Sequence, residues 1–437
     1  MNQLQKIDEL NDSAEAQLIA AKQKPKCRSC DAALDHTFVD LGMSPLVQSF
    51  VPPDKLDEAE PFLPLRVLLC PECKLVQLRS YVSPDNIFTE YAYFSSYSTS
   101  WVAHAKAFCE MAAERFSLGP DSFVVEIASN DGYLLQHFLP MEIPVLGVEP
   151  AANVAEAAKA KSIPVLVDFF GEATAGKVAK DRGNADLIVG NNVFAHVPDI
   201  NDFCAGLKLL LAEDGVISLE FPHLEKLMDE LQYDTIYHEH FSYYSLMTAE
   251  RVLARHGLKV FDVEELPTHG GSLRLFACHE DSTAHARSAK VDEVLERELD
   301  AGYDDFDVYV EFQNKVQASK RKLLQLLSRL KDEGKSIVGY GAPGKGNTLL
   351  NYCGIGTDFL EFVVDRNPYK QGLYTPGTHI PIRPVDDIRA RKPDYVFILP
   401  WNLKDEIIAQ MSDVFDWGGK FIVPVPEPKI IGPEDMS

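Results

Sequence analysis

Four of the eight cysteines stand in two close pairs, Cys27 with Cys30 and Cys70 with Cys73. Each pair has two residues between its members, and 39 residues separate the pairs. Four thiolates at this spacing can surround one ion tetrahedrally, which is the geometry that Zn²⁺ prefers in structural sites. Four protein ligands leave no position open for a substrate, so the metal would be structural. The alternatives are two unrelated pairs or a redox-active CxxC. A redox pair is expected beside a βαβ unit, and these cysteines do not stand beside one.

The segment VVEIASNDGYLL, residues 124–135, predicts a buried strand, a turn and the start of a helix. Glu126 stands near the end of this strand, and Glu149 ends the next strand, 17 residues after Gly132. An acidic side chain at the second strand tip can accept both hydroxyls of a ribose. The turn lacks a GxGxxG pattern and any lysine or hydroxyl suited to a triphosphate. A ligand with ribose and adenine but no phosphate, such as S-adenosylmethionine (SAM), therefore fits best; a βα turn without a ligand is the alternative.

Further polar residues follow the neighbouring predicted strands. Asp168 comes after the third strand, where an adenine amino group can lie, and the run GNNVFAHV follows the fourth. The carboxyl ends of these strands form the edge of an open α/β sheet at which ligands bind. The predicted SAM-binding residues are Glu126, Ala128, Asn130, Gly132, Glu149, Asp168 and Asn191.

The run YDTIYHEHFSYYS, residues 233–245, concentrates histidine, glutamate and tyrosine. An imidazole titrates near neutral pH and can take a proton from a carbon beside a carbonyl group. A neighbouring carboxylate can orient that imidazole, and a phenol can donate to a developing enolate oxygen. These properties predict a catalytic acid–base cluster. A structural polar cluster and a metal site at His238 and His240 are the alternatives, and the metal site lacks a distant third ligand.

A second glycine-rich turn, SIVGYGAPGKGNTLLN, residues 336–351, contains a GxGxxG pattern. Asp365 follows 24 residues beyond Gly341, as the acidic residue does in an NAD-binding fingerprint. The pattern GxxxxGK is nearly met as well, but Gly346 replaces the Ser or Thr that would hold magnesium, which argues against NTPase chemistry. The helix N-terminus together with Lys345 can cradle a diphosphate. Close packing of a helix against a strand is the alternative.

Strands and helices alternate around both turns. Short apolar runs recur from SFVVEIAS to GVISLEFP and again from SIVGYG to KFIVPVP, which is typical of parallel sheets with helices on their faces. Residues 26–80 have too little periodic apolar sequence for their own core and need a metal staple. We predict an α/β protein in which a small zinc-binding N-terminal domain precedes two Rossmann-like, doubly wound parallel-sheet domains. The predicted segments are a polar tail (1–25), the zinc-binding domain (26–80), a SAM-binding domain (81–285), a helical connector (286–335) and a C-terminal domain (336–437).

The chain has 437 residues, of which 42 are basic and 66 acidic, giving a formal net charge of −24. Such an acidic surface repels phosphate backbones and anionic lipids, so we expect neither nucleic acid nor a membrane surface as a partner. No apolar run approaches the roughly 20 residues that span a bilayer. The N-terminal segment MNQLQKIDELNDSAEAQLIAAKQK lacks the apolar region of a secretory signal. We expect a cytoplasmic protein that is a monomer or a weak oligomer.

The order of these motifs resembles that of the zinc-containing, SAM-dependent sugar C-methyltransferases, which act on nucleotide-linked 4-keto deoxysugars. The resemblance spans residues from about 26 to 430 and is carried by CRSC, LCPECKLVQL, EIASNDGYLL, YHEHFSYYS, HGGSLR and GYGAPGKGN. It implies a zinc-binding domain, a SAM-binding methyltransferase domain and a C-terminal domain that binds the nucleotide sugar. Ala128 departs from the family, which often has glycine at this point of the SAM turn.

The resemblance implies a reaction at C3 of a dTDP-linked 4-keto sugar, in which a proton beside the C4 ketone is removed and the enolate attacks the SAM methyl group. His240, the second histidine of YHEH, matches the family's base, and Tyr237 and Glu239 match its neighbours. Tyr91 and Asn192 lie in segments that match those facing the sugar. The other residues predicted to bind the substrate are His196, Lys345, Asn347, Asp365, Arg366 and Asn402.

Two other functions are compatible with the motifs. An NAD-dependent nucleotide-sugar oxidoreductase would explain the GxGxxG turn, but it leaves Glu149 and the turn EIASNDG unexplained. A zinc-stapled, non-catalytic scaffold that binds a nucleotide sugar would predict no methylated product. The motifs do not identify which deoxysugar is used.

Overall fold

The computed structural model describes residues 24–81 and 94–436. The helices in these ranges are α1 (Thr99–Arg115), α2 (Ala152–Ala160), α3 (Glu172–Arg182), α4 (Ile200–Leu210), α5 (Leu224–Asp229), α6 (Leu246–Ala254), α7 (Ala289–Asp300), α8 (Asp307–Asp332), α9 (Gly344–Cys353), α10 (Asp386–Arg391) and α11 (Lys404–Gln410). The strands are β1 (His36–Ser44), β2 (Leu63–Leu69), β3 (Val76–Leu78), β4 (Val124–Ile127), β5 (Val145–Val148), β6 (Val165–Leu166), β7 (Ala185–Asn191), β8 (Leu211–Pro222), β9 (Ser242–Tyr243), β10 (Leu258–Leu266), β11 (Ser272–His279), β12 (Ile337–Tyr340), β13 (Val363–Val364), β14 (Ile382–Arg383), β15 (Tyr395–Ile398), β16 (Lys420–Val423) and β17 (Lys429–Ile431).

The chain folds into two units whose segments alternate along the sequence. Unit 1 comprises the described residues up to His36, Leu69–His223 and Phe241–Asp304, and unit 2 comprises Thr37–Leu68, Leu224–His240 and the residues from Asp305 onward. The segments predicted from the sequence were consecutive. Leu224–His240, which carries the YHEH run, belongs to the same unit as the C-terminal part of the chain. Local sequence patterns did not indicate this.

The central sheet of unit 1 has, within the described residues, seven strands in the order β10-β11-β8-β7-β4-β5-β6. Strands β4 to β8 are parallel to one another, and β11 is antiparallel to both β8 and β10. The strand order reverses at β4, because the chain continues through β5 and β6 on one side and returns as β7 on the other. Ligands bind outside the carboxyl ends of the strands at such a switch point.

Helix α1 illustrates how the sequence covers this sheet. Its residues Ala105, Phe108, Cys109 and Ala112 recur at helical spacing and are all buried, packed in one cluster with apolar residues of β4, β7 and β11. This is the apolar stripe of an amphipathic helix. The helix begins at a serine cap, since the hydroxyl of Ser98 accepts the N–H of Trp101 at 3.3 Å. The resulting core holds the carboxyl edge of the sheet in place.

The main sheet of unit 2 has, among the residues described, six strands in the order β14-β13-β12-β15-β16-β17. Neighbouring strands are parallel except for the β16–β17 pair. The first five strands follow the order of a dinucleotide-binding sheet, with the switch point between β12 and β15. Strands β1 and β2 are neighbours in a separate sheet, and Phe38 of β1 stacks on Phe312 of α8 with ring centroids 4.6 Å apart. The predicted α/β fold with two mainly parallel sheets is confirmed.

The charged stretch that predicted a helical connector forms α7 and α8. Helix α8 has 26 residues and buries Tyr309, Phe312, Val316, Leu323 and Leu327 along one side. Over residues 24–81 and 94–436, no helix has both the length and the apolar character that crossing a bilayer requires.

Candidate functional site

The four paired cysteines come together in unit 1. The Sγ atoms of Cys27 and Cys73 lie 3.5 Å apart, and those of Cys30 and Cys70 lie 3.4 Å apart. All four sulfurs lie within 4.8 Å of one another. Thiolates that each lie about 2.3 Å from one tetrahedral Zn²⁺ have sulfurs roughly 3.8 Å apart, so the donor set fits zinc. The prediction of a four-cysteine zinc site is confirmed.

Hydrogen bonds orient the first cysteine pair and tie it to neighbouring parts of unit 1. Gln77 Nε2 donates to Cys27 Sγ at 3.2 Å, and Gln77 Oε1 accepts the backbone N–H of Arg28 at 3.0 Å. The Arg28 guanidinium donates to the carbonyl oxygen of Pro198 at 2.8 Å, and Asn201 Nδ2 donates to the Arg28 carbonyl at 3.1 Å. Partners of this kind fix the geometry of metal ligands. They also attach the zinc site to the start of α4.

The turn after β4 contains two residues with left-handed backbone conformation, Ala128 at φ +52° and Asn130 at φ +50°. This conformation is uncommon outside glycine and costs on the order of 1 kcal/mol per residue. A glycine at position 128 would adopt it without strain, so Ala128 carries a cost that glycine would avoid. Strain of this kind persists where the surrounding structure holds a functional turn.

Glu149 connects this turn to the tip of β5. Its Oε2 accepts the N–H of Asn130 at 2.9 Å, and its Oε1 accepts the N–H of Ala151 at 2.8 Å. The side chain is buried, and this burial raises the pKa of Glu149 despite the two N–H donors. A carboxylate has about four acceptor positions. The two N–H groups therefore hold it in place without using up its capacity for ribose hydroxyls.

Two buried side chains at this edge have unused hydrogen-bonding capacity. Glu126 Oε2, near the end of β4, has no hydrogen-bond partner among the described residues, and the same holds for both amide atoms of Asn191, the last residue of β7. Burial, followed by the nearby charges of Glu149 and Asp131, raises the pKa of Glu126 well above its usual value. Buried polar atoms are nearly always paired. The edge thus fits a polar ligand, and SAM has the groups to use it.

The side chain of Asn130 is engaged by the protein, because its Oδ1 accepts the N–H of Ser95 at 2.9 Å. Lys161 Nζ donates to the hydroxyl of Ser96 at 2.8 Å and to the carbonyl oxygen of Asp131 at 2.7 Å. These bonds fasten the segment before α1 onto the SAM turn. Gly132 also lies within this turn and donates its N–H to the Ser129 carbonyl at 3.0 Å.

Three predicted ligand-binding residues follow the strands of this sheet. Asn192 Nδ2 lies 3.0 Å from His269 Nε2, in the bend between β10 and β11. His196 ends a short 3-10 turn after β7 and is half-buried. Asp168 is exposed, two residues beyond β6. Tyr91, predicted to face the sugar, lies outside the described residues.

A buried charged cluster, absent from the sequence-based prediction, lies beside Asn192. Arg274 on β11 donates to Glu220 on β8 at 2.7 Å and to Glu264 on β10 at 3.0 Å. His104 Nε2 lies 2.9 Å from Glu220 Oε2. Burial alone would raise the pKa of Glu220, but the hydrogen bond with His104 and the charge of Arg274 outweigh it and lower the pKa. The sequence feature that could have indicated this cluster is Glu220, an acidic residue inside the apolar run GVISLEFP.

The YHEH run lies in unit 2 and is largely buried. His240 Nδ1 lies 2.8 Å from the carbonyl oxygen of Thr235. A carbonyl oxygen only accepts hydrogen bonds, so Nδ1 carries the proton, and in the neutral ring Nε2 holds the lone pair. The ring of Tyr237 packs on that of His240 with centroids 4.0 Å apart. The hydrogen bond therefore selects the tautomer that a general base at Nε2 requires.

The residues beside His240 are also removed from water. Glu239 is 6% exposed, and burial raises its pKa to about 7. Burial lowers the pKa of His238, whose Nε2 lies 3.3 Å from the carbonyl oxygen of Pro64. In the part of the chain that the structure describes, no third ligand joins His238 and His240 in a metal cluster. The arrangement suits proton transfer better than metal binding.

Protein atoms fill the space beside the second glycine-rich turn. A Cβ atom at Gly341, whose φ is +85°, would lie 2.6 Å from Pro400 Cδ, and one at Gly346 would lie 2.9 Å from Leu399 Cβ. Pro400 and Leu399 directly follow β15, on the other side of the switch point. These glycines therefore permit close approach of two parts of unit 2, and the contacts favour the packing interpretation of the motif.

The polar side chains of Asp365 and Asn347, beside this turn, form hydrogen bonds with backbone groups of the protein. Both carboxylate oxygens of Asp365 accept backbone N–H groups, those of Ala342 and Asn367, each at 2.8 Å. Asn347 is fully buried, and its Nδ2 donates to the carbonyl oxygen of Val47 at 2.7 Å. These bonds orient the Asp365 carboxylate at the strand end, as two N–H groups orient that of Glu149.

The remaining predicted residues of this sheet differ in exposure. Lys345 Nζ donates to Asn402 Oδ1 at 2.8 Å, so the two predicted substrate-binding side chains bond each other. Arg366 is exposed and lies 4.0 Å from the Glu406 carboxylate. Of this group, Arg366 offers the charge that is most accessible to an anionic ligand.

Three family models match consecutive parts of the chain. The model of a zinc binding domain matches residues 27–88, that of a methyltransferase domain matches residues 101–263, and that of a C-methyltransferase C-terminal domain matches residues 267–426. C-methyltransferase NovU from Streptomyces niveus is 36% identical over 411 residues, which cover 94% of this chain and 97% of that protein.

Solved structures resemble part of the chain more distantly. An S-adenosylmethionine-dependent methyltransferase from Clostridium acetobutylicum is 13% identical, with a TM-score of 0.32, over 39% of this chain and 89% of that one. Magnesium protoporphyrin IX methyltransferase from Synechocystis, solved with bound SAM, is 15% identical, with a TM-score of 0.30, over 41% of this chain and 77% of that one.

Proposed function

The chain belongs to the C-methyltransferase family, and we propose that it transfers a methyl group from SAM to C3 of a dTDP-linked 4-keto deoxysugar. Family membership makes the protein a SAM-dependent C-methyltransferase; the acceptor sugar and the chemical roles of the residues are the proposal. A methyl group can be added to carbon only if that carbon becomes nucleophilic. The carbon next to a ketone meets this need, because the carbonyl oxygen stabilises the charge left by proton removal.

His240 is the proposed base. The observation that carries this assignment is the 2.8 Å contact between His240 Nδ1 and the Thr235 carbonyl, since it leaves the basic lone pair on Nε2. His240 is followed in the chain by Phe241, whose N–H donates to the carbonyl oxygen of Ala195 at 2.7 Å. Ala195 comes shortly after β7, whose carboxyl end belongs to the ligand-binding edge of the unit 1 sheet.

In the proposed reaction, His240 Nε2 removes the C3 proton and becomes an imidazolium. The Tyr237 phenol donates to the C4 oxygen as negative charge develops there. Glu239, when ionised, stabilises the imidazolium through its charge. With SAM bound, the nucleophilic C3 would bond to the methyl carbon as the S–CH3 bond breaks, and the electron pair of that bond would stay on sulfur in S-adenosylhomocysteine. The proton stays on His240 until it passes to solvent.

SAM, when bound, supplies an electrophilic methyl group. We assign the ribose hydroxyls to Glu149 and further polar contacts to Glu126 and Asn191, because these buried groups have acceptor or donor positions to offer. Asp168 remains the proposed adenine contact. Ala128, Asn130 and Gly132 would contribute through the backbone of their turn, since the Asn130 side chain already bonds Ser95.

On the substrate side, Asn192, His196 and Tyr91 are the proposed sugar contacts. Arg366 is the proposed partner of the diphosphate, because its guanidinium is accessible. Asp365 and Asn402 lie at the same ends of the strands. Asn347 is better suited to a role inside unit 2, since its side chain is buried against Val47.

A panel of dTDP-4-keto deoxysugars, incubated with the protein and SAM and examined by mass spectrometry, tests the proposal. A sugar product heavier by one methylene group, formed only when SAM is present, would support it. An NAD-dependent oxidation would instead remove two hydrogens and need no SAM. If no member of the panel gained a methylene group, the proposed substrate class would be wrong.

A further inference from the structure

The second glycine-rich turn and the strand end facing it hold the segment that carries His240. We propose that Trp401 and Thr348 are positioning residues, which anchor Asp234 and Ile236 and thereby place the Thr235 carbonyl that orients His240. The inference rests on the proposed role of His240 as the base. All of these residues belong to unit 2.

The first anchor is a hydrogen bond from an indole to a buried carboxylate. Trp401 Nε1 donates to Asp234 Oδ2 at 2.7 Å, and Asp234 is fully buried. Trp401 begins the short turn after β15, at the switch point of the sheet. Without this donor, a carboxylate that burial already destabilises in its charged form would lose a hydrogen bond. The bond therefore resists movement of Asp234.

The second anchor lies on the other side of Thr235. The Thr348 hydroxyl, buried on α9, donates to the carbonyl oxygen of Ile236 at 3.1 Å. Tyr233 packs on the same helix, edge-on to Tyr352 with ring centroids 5.5 Å apart. Thr235 is thus held between two anchored neighbours, so its carbonyl oxygen has little freedom to move away from His240.

Lys345 supports the first anchor from the glycine-rich turn. Its Nζ lies 4.6 Å from the centre of the Trp401 ring, a cation–π arrangement, and donates to Asn402 beside it. Burial lowers the pKa of Lys345 to about 8, and the charge of Asp234 opposes that shift. Trp401 is therefore held on one face by the lysine and at its N–H by the carboxylate.

This arrangement also gives the glycine-rich turn, residues 336–351, a role that does not depend on binding a nucleotide. At the switch point between β12 and β15, where an open α/β sheet usually holds a ligand, unit 2 has Trp401 and Asp234. The glycines give the two strand ends room to meet. The turn thus serves the reaction by holding the catalytic segment.

Two pairs of substitutions test the proposal. Trp401→Phe keeps an aromatic ring but removes the N–H that bonds Asp234. Its matched control is Trp417→Phe, because the Trp417 indole makes an equivalent bond to the Pro393 carbonyl at 3.0 Å elsewhere in unit 2. Thr348→Val keeps the shape but removes the hydroxyl, and Thr348→Ser, which retains it, is the control.

Amide hydrogen–deuterium exchange of peptides covering 233–240, the kcat for methyl transfer and the Kd for S-adenosylhomocysteine are measured for each variant. We expect Trp401→Phe and Thr348→Val to raise exchange in this segment and to lower kcat on the order of 10²-fold, as a misplaced catalytic group does. The KM for SAM and the affinity for S-adenosylhomocysteine should be unchanged. Trp417→Phe and Thr348→Ser should behave as the wild type.

Amide exchange at the wild-type rate in both Trp401→Phe and Thr348→Val would show that these hydrogen bonds do not anchor the segment. Faster exchange with unchanged kcat would overturn the positioning role, as would an equal loss of kcat in the two controls. If Trp401→Phe fails to fold, the comparison of Thr348→Val with Thr348→Ser decides whether the positioning role holds. If the wild-type protein methylates no dTDP-4-keto sugar, the proposed function fails, and the exchange data alone decide whether the anchors exist.

Discussion

The carboxylate of Glu298 lies 2.7 Å from Nε2 of His223, and both side chains are buried within unit 1. The same carboxylate accepts the N–H groups of Leu246 and Met247 at 2.6 and 2.8 Å, at the start of α6. His223 ends the segment of unit 1 that precedes Leu224–His240, and α6 begins soon after the chain re-enters unit 1. One buried carboxylate therefore bonds residues of unit 1 that precede and follow the segment Leu224–His240 in the chain.

Replacement of Glu298 by glutamine should destabilise the protein. The amide offers one acceptor atom where the carboxylate satisfies two N–H groups and a histidine, so at least one buried partner loses its bond. We expect a free energy of unfolding lower by about 2–4 kcal/mol, measured by urea denaturation. Glu296→Gln, two residues earlier and exposed on the same helix, should change it little. Equal stability of the two variants would contradict the role given to Glu298.

Glu149→Gln should weaken SAM binding. The substitution removes the charge and one acceptor from a group proposed to bind two ribose hydroxyls. We expect the Kd for S-adenosylhomocysteine, measured by calorimetry, to rise about 10- to 100-fold, as for loss of a charged hydrogen bond. Glu156→Gln, on the exposed side of α2, is the control. An unchanged Kd for Glu149→Gln would place the ribose elsewhere.

The buried Glu239 should make stability depend on pH near neutrality. Burial raises its pKa to about 7 in the folded protein, from an ordinary value of 4.5. The folded state therefore favours the protonated form; this contribution is complete below about pH 4.5 and is lost as the pH rises through about 7. Glu239→Gln stays neutral, so relative to the wild type it should gain about 2.5 kcal/mol of unfolding free energy between pH 5 and pH 8. A difference that does not vary with pH would show that Glu239 ionises normally.

Loss of a zinc ligand should remove the metal. For Cys70→Ser we expect metal analysis to find almost no zinc, against one ion per chain in the wild type, because three thiolates and a hydroxyl bind zinc poorly. The melting temperature should fall as well, because the free energy of binding a structural metal contributes to folding. Cys278→Ser, at a single buried cysteine of β11, should retain the zinc. Full zinc content in Cys70→Ser would exclude the four-cysteine site.

The sequence predicts the elements of the fold well, because each depends on local pattern. Runs such as ADLIVGNN and DYVFILP are strands β7 and β15, and the stretch from Trp101 is helix α1. The spacing of the cysteine pairs predicts the metal cluster directly. The alternation of the two units depends instead on which distant segments pack together, and periodicity along the chain contains no information about such pairing.

The candidate site is predicted unevenly for the same reason. Glu149 and Asn191 end predicted strands, and parallel topology brings strand ends to one edge. The glycines at 341 and 346 predict a close approach, but they do not reveal what approaches, and it is Pro400 and Leu399 rather than a phosphate. Trp401 and Asp234 are separated by 167 positions in sequence, and only the folded chain brings their side chains together.

Hydrogen exchange at C3 of the substrate tests the central claim most directly, because it isolates proton removal from methyl transfer. A dTDP-4-keto deoxysugar that the enzyme methylates is placed in D₂O with the protein but without SAM, and deuterium at C3 is followed by NMR. The wild type should incorporate deuterium well above the rate without enzyme. His240→Gln should lose this acceleration by about 10²- to 10⁴-fold while binding S-adenosylhomocysteine normally. Deuterium incorporation by His240→Gln at the wild-type rate would show that another group is the base.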